Sequence, residues 1–421
     1  MNNSTLYKRA QLPPNSLYVG IDPHKKQHTI RVRAPTGQVV TQFQIRNGRS
    51  GFAELVRRSE ALRPQYANAP LLFAIEPGGH YWRTLRSYLQ QHNYAVYQIN
   101  PFTLKRQRDG DDLTHRKNDY RDAAKAAELL QDGKYTWTQP ATGVYAALKR
   151  AYEMYQHVST EYARTKLHLT TLLDQLFPEF QRVFKQVDGQ SALTVLAHQT
   201  QPTAIAAQAL QCWVETLRTQ QRQHGRRGFQ AKKVRALHAV AAESVGLCDG
   251  AASMNAHVQL VVARLVLRHK QRQTAELLVR DSLAGCPEKP FLLSLFGLGE
   301  LNAAGLLAQI GDIRRFSGVK QLTKLAGIQP IEEGSADYHA QHTPMSKKGR
   351  SGLRRVAFQA VIGLLRHNVV FHDYVLRLTT RHTQPLKKRQ AIGAAMNKLL
   401  RIVYTLLTRQ ECFDPQKAAG V

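Results

Sequence analysis

The sequence predicts an α/β domain followed by an all-helical remainder, and three observations carry that reading. Short apolar runs in the first hundred residues are bounded by turn residues, as strands buried on both faces require: Leu17-Tyr-Val-Gly-Ile-Asp22, Leu71-Leu-Phe-Ala-Ile-Glu76 and Tyr94-Ala-Val-Tyr-Gln-Ile99. From Gly143 onward the apolar spacing becomes helical. The early runs also lead to acids, with Asp22 and Glu76 closing theirs and Asp119 and Asp122 following the third. An acid at the end of a buried strand is expensive alone, so several converging acids point to a bound cation.

The chain has 421 residues, enough for two or three domains, and its 43% hydrophobic content excludes general disorder. It carries 59 Lys and Arg against 30 Asp and Glu, a net charge of +29. Basic residues recur from end to end, which fits an extended polyanion better than a small anionic metabolite. No apolar run approaches the roughly eighteen residues needed to span a bilayer, so a cytoplasmic protein is expected. Residues 1–15, polar and containing Pro13-Pro14, read as a disordered leader. Cys212, Cys248, Cys286 and Cys412 lie far apart, which argues against zinc or a disulfide framework and predicts reduced, buried thiols.

Taken in order, Leu17–Asp22 is the first strand and Gln27–Arg33, alternating with period two, the second. Pro35-Thr-Gly37 turns into a third strand, Val39–Ile45. A helix is expected over 50–62, a strand over 71–76, a helix over 80–91, a strand over 94–99 and a further helix beyond. Three strands followed by alternating helix and strand is the chain order of an RNase H-like fold, an order other α/β domains share. This domain is assigned residues 16–140.

Residues 141–285 are expected to form a helical arm. Long helices over 143–177 and 258–279 would pair as an antiparallel coiled coil or make a dimer contact. The basic segment 181–250 between them, with Arg222, Arg226, Arg227, Lys232, Lys233 and Arg235, reads as an insertion with helices of its own. A carboxy-terminal helical domain occupies 286–421. Its Leu295-Phe-Gly-Leu-Gly299 turn before a helix over 301–310 has the form of a helix-hairpin-helix, which contacts phosphate through backbone N–H groups. Ser335 falls in a loop, followed by Lys347, Lys348, Arg350, Arg354 and Arg355, a basic patch suited to nucleic-acid phosphates. A last helix is expected over 390–409.

These stretches together resemble the insertion-sequence transposases that combine a RuvC-like DEDD domain with a separate serine-bearing transposase domain, relatives of the pilin-gene invertases. The resemblance rests on Val19-Gly-Ile-Asp22, Ile75-Glu-Pro-Gly-Gly-His-Tyr-Trp82, Ile99-Asn-Pro101 and Lys117-Asn-Asp119-Tyr-Arg-Asp122. It continues through Leu172–Glu179, Gly311-Asp-Ile-Arg-Arg-Phe316, Ala326-Gly-Ile-Gln-Pro330 and Ser346-Lys-Lys-Gly349. It implies that Asp22, Glu76, Asp119 and Asp122 bind Mg2+ and that Ser335, five residues past Pro330, is the nucleophile. Ala336 follows that serine where the family usually has glycine, and Ser346 and Ser351 are the nearby alternative hydroxyls. His24 and Lys25, beside Asp22, are expected near the metal without a catalytic role. The resemblance further implies action on donor and target DNA, a structured guide RNA, and a homodimer or homotetramer. Two other classes compete: a Holliday-junction-type metal-dependent nuclease that uses water, and a non-catalytic nucleic-acid-binding protein.

Overall fold

Strands form a sheet only where each finds a neighbour, and here five do so, with the two buried apolar runs Leu17–Pro23 and Leu71–Ile75 side by side at its centre. The structure is a computed structural model that describes residues 3–111, 118–136, 141–223, 230–331, 334–335, 338–339 and 344–419. The chain divides into two compact units, Met1–Pro140 and Ala141–Val421.

The first unit opens with α1 (Asn3–Ala10), where the sequence predicts a disordered leader. The helix is held by contacts remote in sequence: Lys8 Nζ donates to Tyr135 O (2.8 Å) and the Tyr135 hydroxyl donates to Lys8 O (3.0 Å). Local composition carries no trace of such partners. Then follow β1 (Leu17–Pro23), β2 (Gln27–Arg33), β3 (Val39–Arg46), α2 (Arg49–Glu60), β4 (Leu71–Ile75), α3 (Trp82–Gln91), β5 (Ala95–Gln98), α4 (Pro101–Asp111) and α5 (Asp119–Gln131). The sheet runs β3-β2-β1-β4-β5, with β1–β2 and β2–β3 antiparallel and β1–β4 and β4–β5 parallel. This mixed order is consistent with a RuvC-like, RNase H-type domain.

Strand alternation sends successive side chains to opposite faces. Leu17, Val19, Ile21, Leu71, Phe73 and Ile75 meet Phe52, Leu55, Leu85 and Leu89 of α2 and α3. Tyr18, Leu72, Ala74 and Tyr97 meet Leu104, Ala126, Leu129 and Leu130 of α4 and α5. By the same parity, Asp22 and Glu76 belong to the face that α5 covers.

In the second unit, α6 (Gly143–Leu176) and α12 (Ala251–Ala284) lie antiparallel. Leu148 and Tyr152 share a core with Val279 and Leu283, whereas Leu169–Leu176 share another with Val258–Leu265. The sequence pattern places the start of α12 near residue 258, a turn or two late, because residues 251–257 are mostly small or polar. The basic segment folds into α7 (Phe180–Val183), α8 (Gln190–His198), α9 (Pro202–Ala206), α10 (Leu210–Gln223) and α11 (Ala231–Ala241). Its Phe180, Trp213, Leu217 and Leu237 complete the second core, so it is a packed helical cluster.

The remainder comprises α13 (Lys289–Leu293), α14 (Glu300–Ile310), α15 (Val319–Ala326), β6 (Gly334–Ser335), β7 (Tyr338–His339), α16 (Ser351–His367), α17 (Val369–Thr380), α18 (Lys388–Arg409) and α19 (Pro415–Ala419). The first turn of α14, expected to face phosphate, already holds Glu300, which is ion-paired with Arg280 (2.7 Å) and Lys289 (3.1 Å). Of the cysteines, Cys286 alone is buried; Cys212, Cys248 and Cys412 are exposed, contrary to expectation, because each falls outside the apolar faces of its segment. No helix among the described residues is long and apolar enough to cross a membrane.

One contact seats α5 on the sheet. A Cβ built on Gly20 would lie 1.9 Å from the Ala123 carbonyl oxygen and 2.9 Å from Ala127 N. Helix backbone therefore rests directly on strand backbone. Gly20→Ala should force α5 away from β1 and destabilise the protein by about 1–3 kcal/mol or more. Urea unfolding of the full chain checks this, and an unchanged midpoint would show that α5 yields without cost.

Candidate functional site

Each acid of the first unit is placed by a separate local device. Asp22 ends the buried run of β1, side by side with Thr29 of β2, and is 8% exposed. Glu76 follows β4 directly, and its backbone N–H donates to Ile21 O (3.4 Å), so the β1–β4 ladder carries it alongside Asp22. Asn118 caps α5 by accepting a hydrogen bond from Tyr120 N (2.9 Å). The capped first turn bears Asp119 and Asp122, where the helix dipole favours acids. Asp122, three residues on and one turn nearer the sheet, is 4% exposed.

These placements bring Asp22, Asp119 and Asp122 into one electrostatic neighbourhood. Burial raises the Asp22 carboxyl above the ordinary carboxylate range; His24 opposes that shift, and the charges of Asp122 and Asp119 add to it. Among the described residues, the group whose ligand atoms all lie within 4.8 Å of one another is Asp22, His24 and Asp119. His24 Nε2 sits 3.1 Å from Asp22 Oδ2 and 3.5 Å from Asp119 Oδ2. Glu76 and Asp122 stand outside that tight group.

His24, noted in the sequence only as a neighbour of Asp22, lies against both Asp22 and Asp119. The turn between β1 and β2 returns it to the acids: its N–H donates to Gln27 O (3.2 Å) and to Nδ1 of the buried His28 (3.2 Å). His28 is lowered to about 4 by burial and is therefore a neutral acceptor at neutral pH. An acid followed two residues later by histidine just past a strand was the available signal. Its meaning depends on a turn that the sequence does not spell out.

The donor set suits a hard divalent cation. Carboxylate oxygens crowd a partly buried spot with more negative charge than one imidazole offsets, and oxygen donors are what Mg2+ prefers. Asp22 and Asp119 would hold such an ion most directly, with Asp122 and Glu76 beside them.

The second unit brings together two stretches twenty residues apart in sequence. Ser346 N donates to Gln329 O, Lys347 N to Gly327 O and Ile331 N to Pro344 O, each at 2.9 Å, and Arg350 N donates to Leu325 O (2.7 Å). Gly327, at φ +65°, and Gly349 approach so closely that a Cβ on Gly349 would lie 2.5 Å from Gly327 N. This stem closes the segment that carries Ser335. Local sequence suggests a loop there, but Ser335 lies in β6, opposite Tyr338 of β7. Short-range pattern could not show this, because a two-residue strand exists only through its partner. Ser346 belongs to the stem, and Ser351 is the exposed first residue of α16.

The five basic residues separate by environment. Lys347, Lys348 and Arg355 are exposed, although Arg355 Nη2 also donates to Gln156 Oε1 (2.7 Å). Arg350 Nη1 donates to Gln309 O (2.6 Å), and Arg354 Nη1 donates to Ala326 O (2.8 Å) and Gly349 O (3.3 Å). Arg350 and Arg354 thus hold the stem in place as well as contributing charge.

Comparison with known proteins finds two family matches and several relatives along the chain. Residues 19–178 match a DEDD transposase family of IS110 elements, and residues 289–376 match the transposase IS116/IS110/IS902 family. A 43.6 kDa protein of insertion element IS110 from Streptomyces coelicolor is 24% identical over 314 residues, 72% of this chain and 74% of its own length. The transposase for insertion sequence element IS1111A of Coxiella burnetii is 31% identical over 127 residues, 28% of this chain and 33% of that protein. A pilin gene-inverting protein of Moraxella lacunata is 30% identical over 142 residues, 34% of this chain and 41% of that protein.

The charge balance at Asp22 has a signed consequence. Its raised carboxyl means that the folded chain keeps a proton the unfolded chain releases, so stability falls as pH rises through the interval from the ordinary carboxylate value to the raised one. Above that interval the penalty is complete. At pH 7.5 in EDTA, Asp22→Asn should therefore melt at or above the wild-type temperature. Added Mg2+ or Mn2+ should raise the melting temperature of wild type and not of the variant. An equal metal-dependent rise in both would remove Asp22 from the ligand set.

Proposed function

We propose a chemistry for this chain, which belongs to the IS110 family of insertion-sequence transposases: it cuts and rejoins DNA through a serine nucleophile assisted by divalent cations. The observation that carries the metal half is the convergence of Asp22, Asp119 and Asp122 at the end of β1, with the Asp22 carboxyl raised by burial and by its two neighbours. Glu76, next in the ladder, completes four acids. When bound, Mg2+ would stabilise the charge that develops on the attacking and leaving oxygens of a phosphodiester.

The serine half rests on the motif pattern around Ser335. A bond forms between Ser335 Oγ and phosphorus while the P–O bond of the strand breaks, and the serine proton ends on the released strand hydroxyl. The phosphoserine conserves the phosphodiester energy, so a hydroxyl of another strand displaces the serine without an external energy source. Water attack would lose that energy and leave cut ends, which distinguishes a transposase from a junction nuclease.

The net charge of +29 supports simultaneous contact with DNA and a structured RNA, the guide that the family resemblance implies. A homodimer or homotetramer belongs to the same reading.

Ser335→Ala should stop both cleavage and joining while changing stability by no more than about 0.5 kcal/mol, as a hydroxyl with a chemical and not a structural role requires. Ser346→Ala and Ser351→Ala should be milder. Labelled DNA trapped in the reaction, denatured and mapped by peptide mass should carry its adduct on Ser335. An adduct on Ser346 or Ser351 would move the nucleophile, and efficient cutting by Ser335→Ala would end the serine mechanism at this position.

A further inference from the structure

Two half-buried guanidiniums of the second unit, Arg315 and Arg350, stand near enough to repel each other, and among the described residues neither is ion-paired. Arg315 ends the short 3-10 turn Ile313–Arg315 that follows α14, inside the Gly311–Phe316 stretch to which no role has yet been given. Arg350 precedes α16 and is fixed against the end of α14, because its Nη1 donates to the Gln309 carbonyl. That carbonyl lies in the last turn of the helix, where backbone oxygens lack helical partners. Among the described residues neither guanidinium joins an ion pair, and Arg315 Nε is buried with no hydrogen-bond partner. The adjacent acid, Asp312, is already occupied: Arg314 donates to it through Nε (3.0 and 3.1 Å) and Nη2 (2.7 Å). The Arg315 guanidinium lies 4.6 Å from the centre of the Phe316 ring, which limits its movement.

We propose that Arg315 and Arg350 form a seat for one phosphate of a nucleic-acid backbone, flanked by the exposed Lys347 and Lys348. Like charges brought together away from water are costly, and an anion between them removes the cost. The titration behaviour agrees: burial and the neighbouring Arg350 lower Arg315 to about 10, with Asp312 only partly opposing, and burial also lowers Arg350. Guanidinium forks match phosphate oxygens in geometry, and Arg350 is already fixed, so little side-chain freedom remains to be lost on binding. The seat takes a phosphodiester of either DNA or RNA, because nothing in a guanidinium pair reads the sugar.

The inference rests on the second unit binding nucleic acid, as the proposed function holds, but adds residues and a role to it. The test uses full-length Arg315→Ala and Arg315→Lys with labelled single-stranded DNA and, separately, RNA of the same base sequence, over a series of salt concentrations. Arg315→Ala should bind about tenfold to a hundredfold more weakly to the strand that occupies the seat. The magnitude of its log–log salt slope should fall by about 0.7, the value for one phosphate on a single strand. Arg315→Lys should restore much of the slope. Without nucleic acid, Arg315→Ala should melt no lower than wild type, because one of two repelling cations is gone. Loss with DNA alone or RNA alone identifies the strand. An unchanged slope with both, or a lowered melting temperature with unchanged affinity, overturns the seat and makes Arg315 a structural residue. Wild-type protein that binds neither strand would instead overturn the nucleic-acid reading of this unit.

Discussion

The close approach of α5 to β1 at Gly20 is the contact on which the acidic site depends. Two residues beyond that glycine the strand presents Asp22, and the helix that rests on it begins with Asp119 and Asp122. A side chain at Gly20 would separate them. Three carboxylates that repel one another are held together here by backbone packing, by the Ala126, Leu129 and Leu130 face of α5 in the apolar core, and by the Asn118 cap. None of these forces is electrostatic repulsion relieved. The fold imposes the convergence, and a cation is the chemistry that makes use of it.

Basic charge follows the opposite logic in the second unit. A net charge of +29 suggests a surface covered in free cations, yet several of the best-placed ones serve the fold. Arg350 caps α14, Arg354 ties Ala326 to Gly349, and the buried Lys398 donates to Ala418 O (2.8 Å). Guanidinium is suited to this because its five donors bridge separate backbone carbonyls while the charge stays hydrated on one edge. The same property makes an arginine fixed by structure a good phosphate ligand, since it has little freedom left to lose. Lys347 and Lys348, by contrast, are exposed and contribute charge without a fixed position.

The two halves of the proposed chemistry are also built differently. The acids stand at the ends of long, buried elements whose positions are set by a core. Ser335 stands in a two-residue strand on a segment whose flanking stretches, 325–331 and 344–350, are joined by backbone hydrogen bonds.

Much of this was legible in the sequence. Uninterrupted apolar runs fixed β1 and β4, because strands covered on both faces need no polar alternation. The three-strand opening followed by helix–strand alternation gave the order of elements along the chain, and the apolar runs of β1 and β4 placed Asp22 and Glu76 at strand ends. What the sequence could not determine are pairings between distant segments: α1 against Tyr135, His24 between Asp22 and Asp119, β6 against β7, and Arg315 beside Arg350. Each depends on where a turn returns the chain, and turn geometry is set by the packing of both partners. Local residue patterns determine which face is buried; only tertiary structure decides what that face meets.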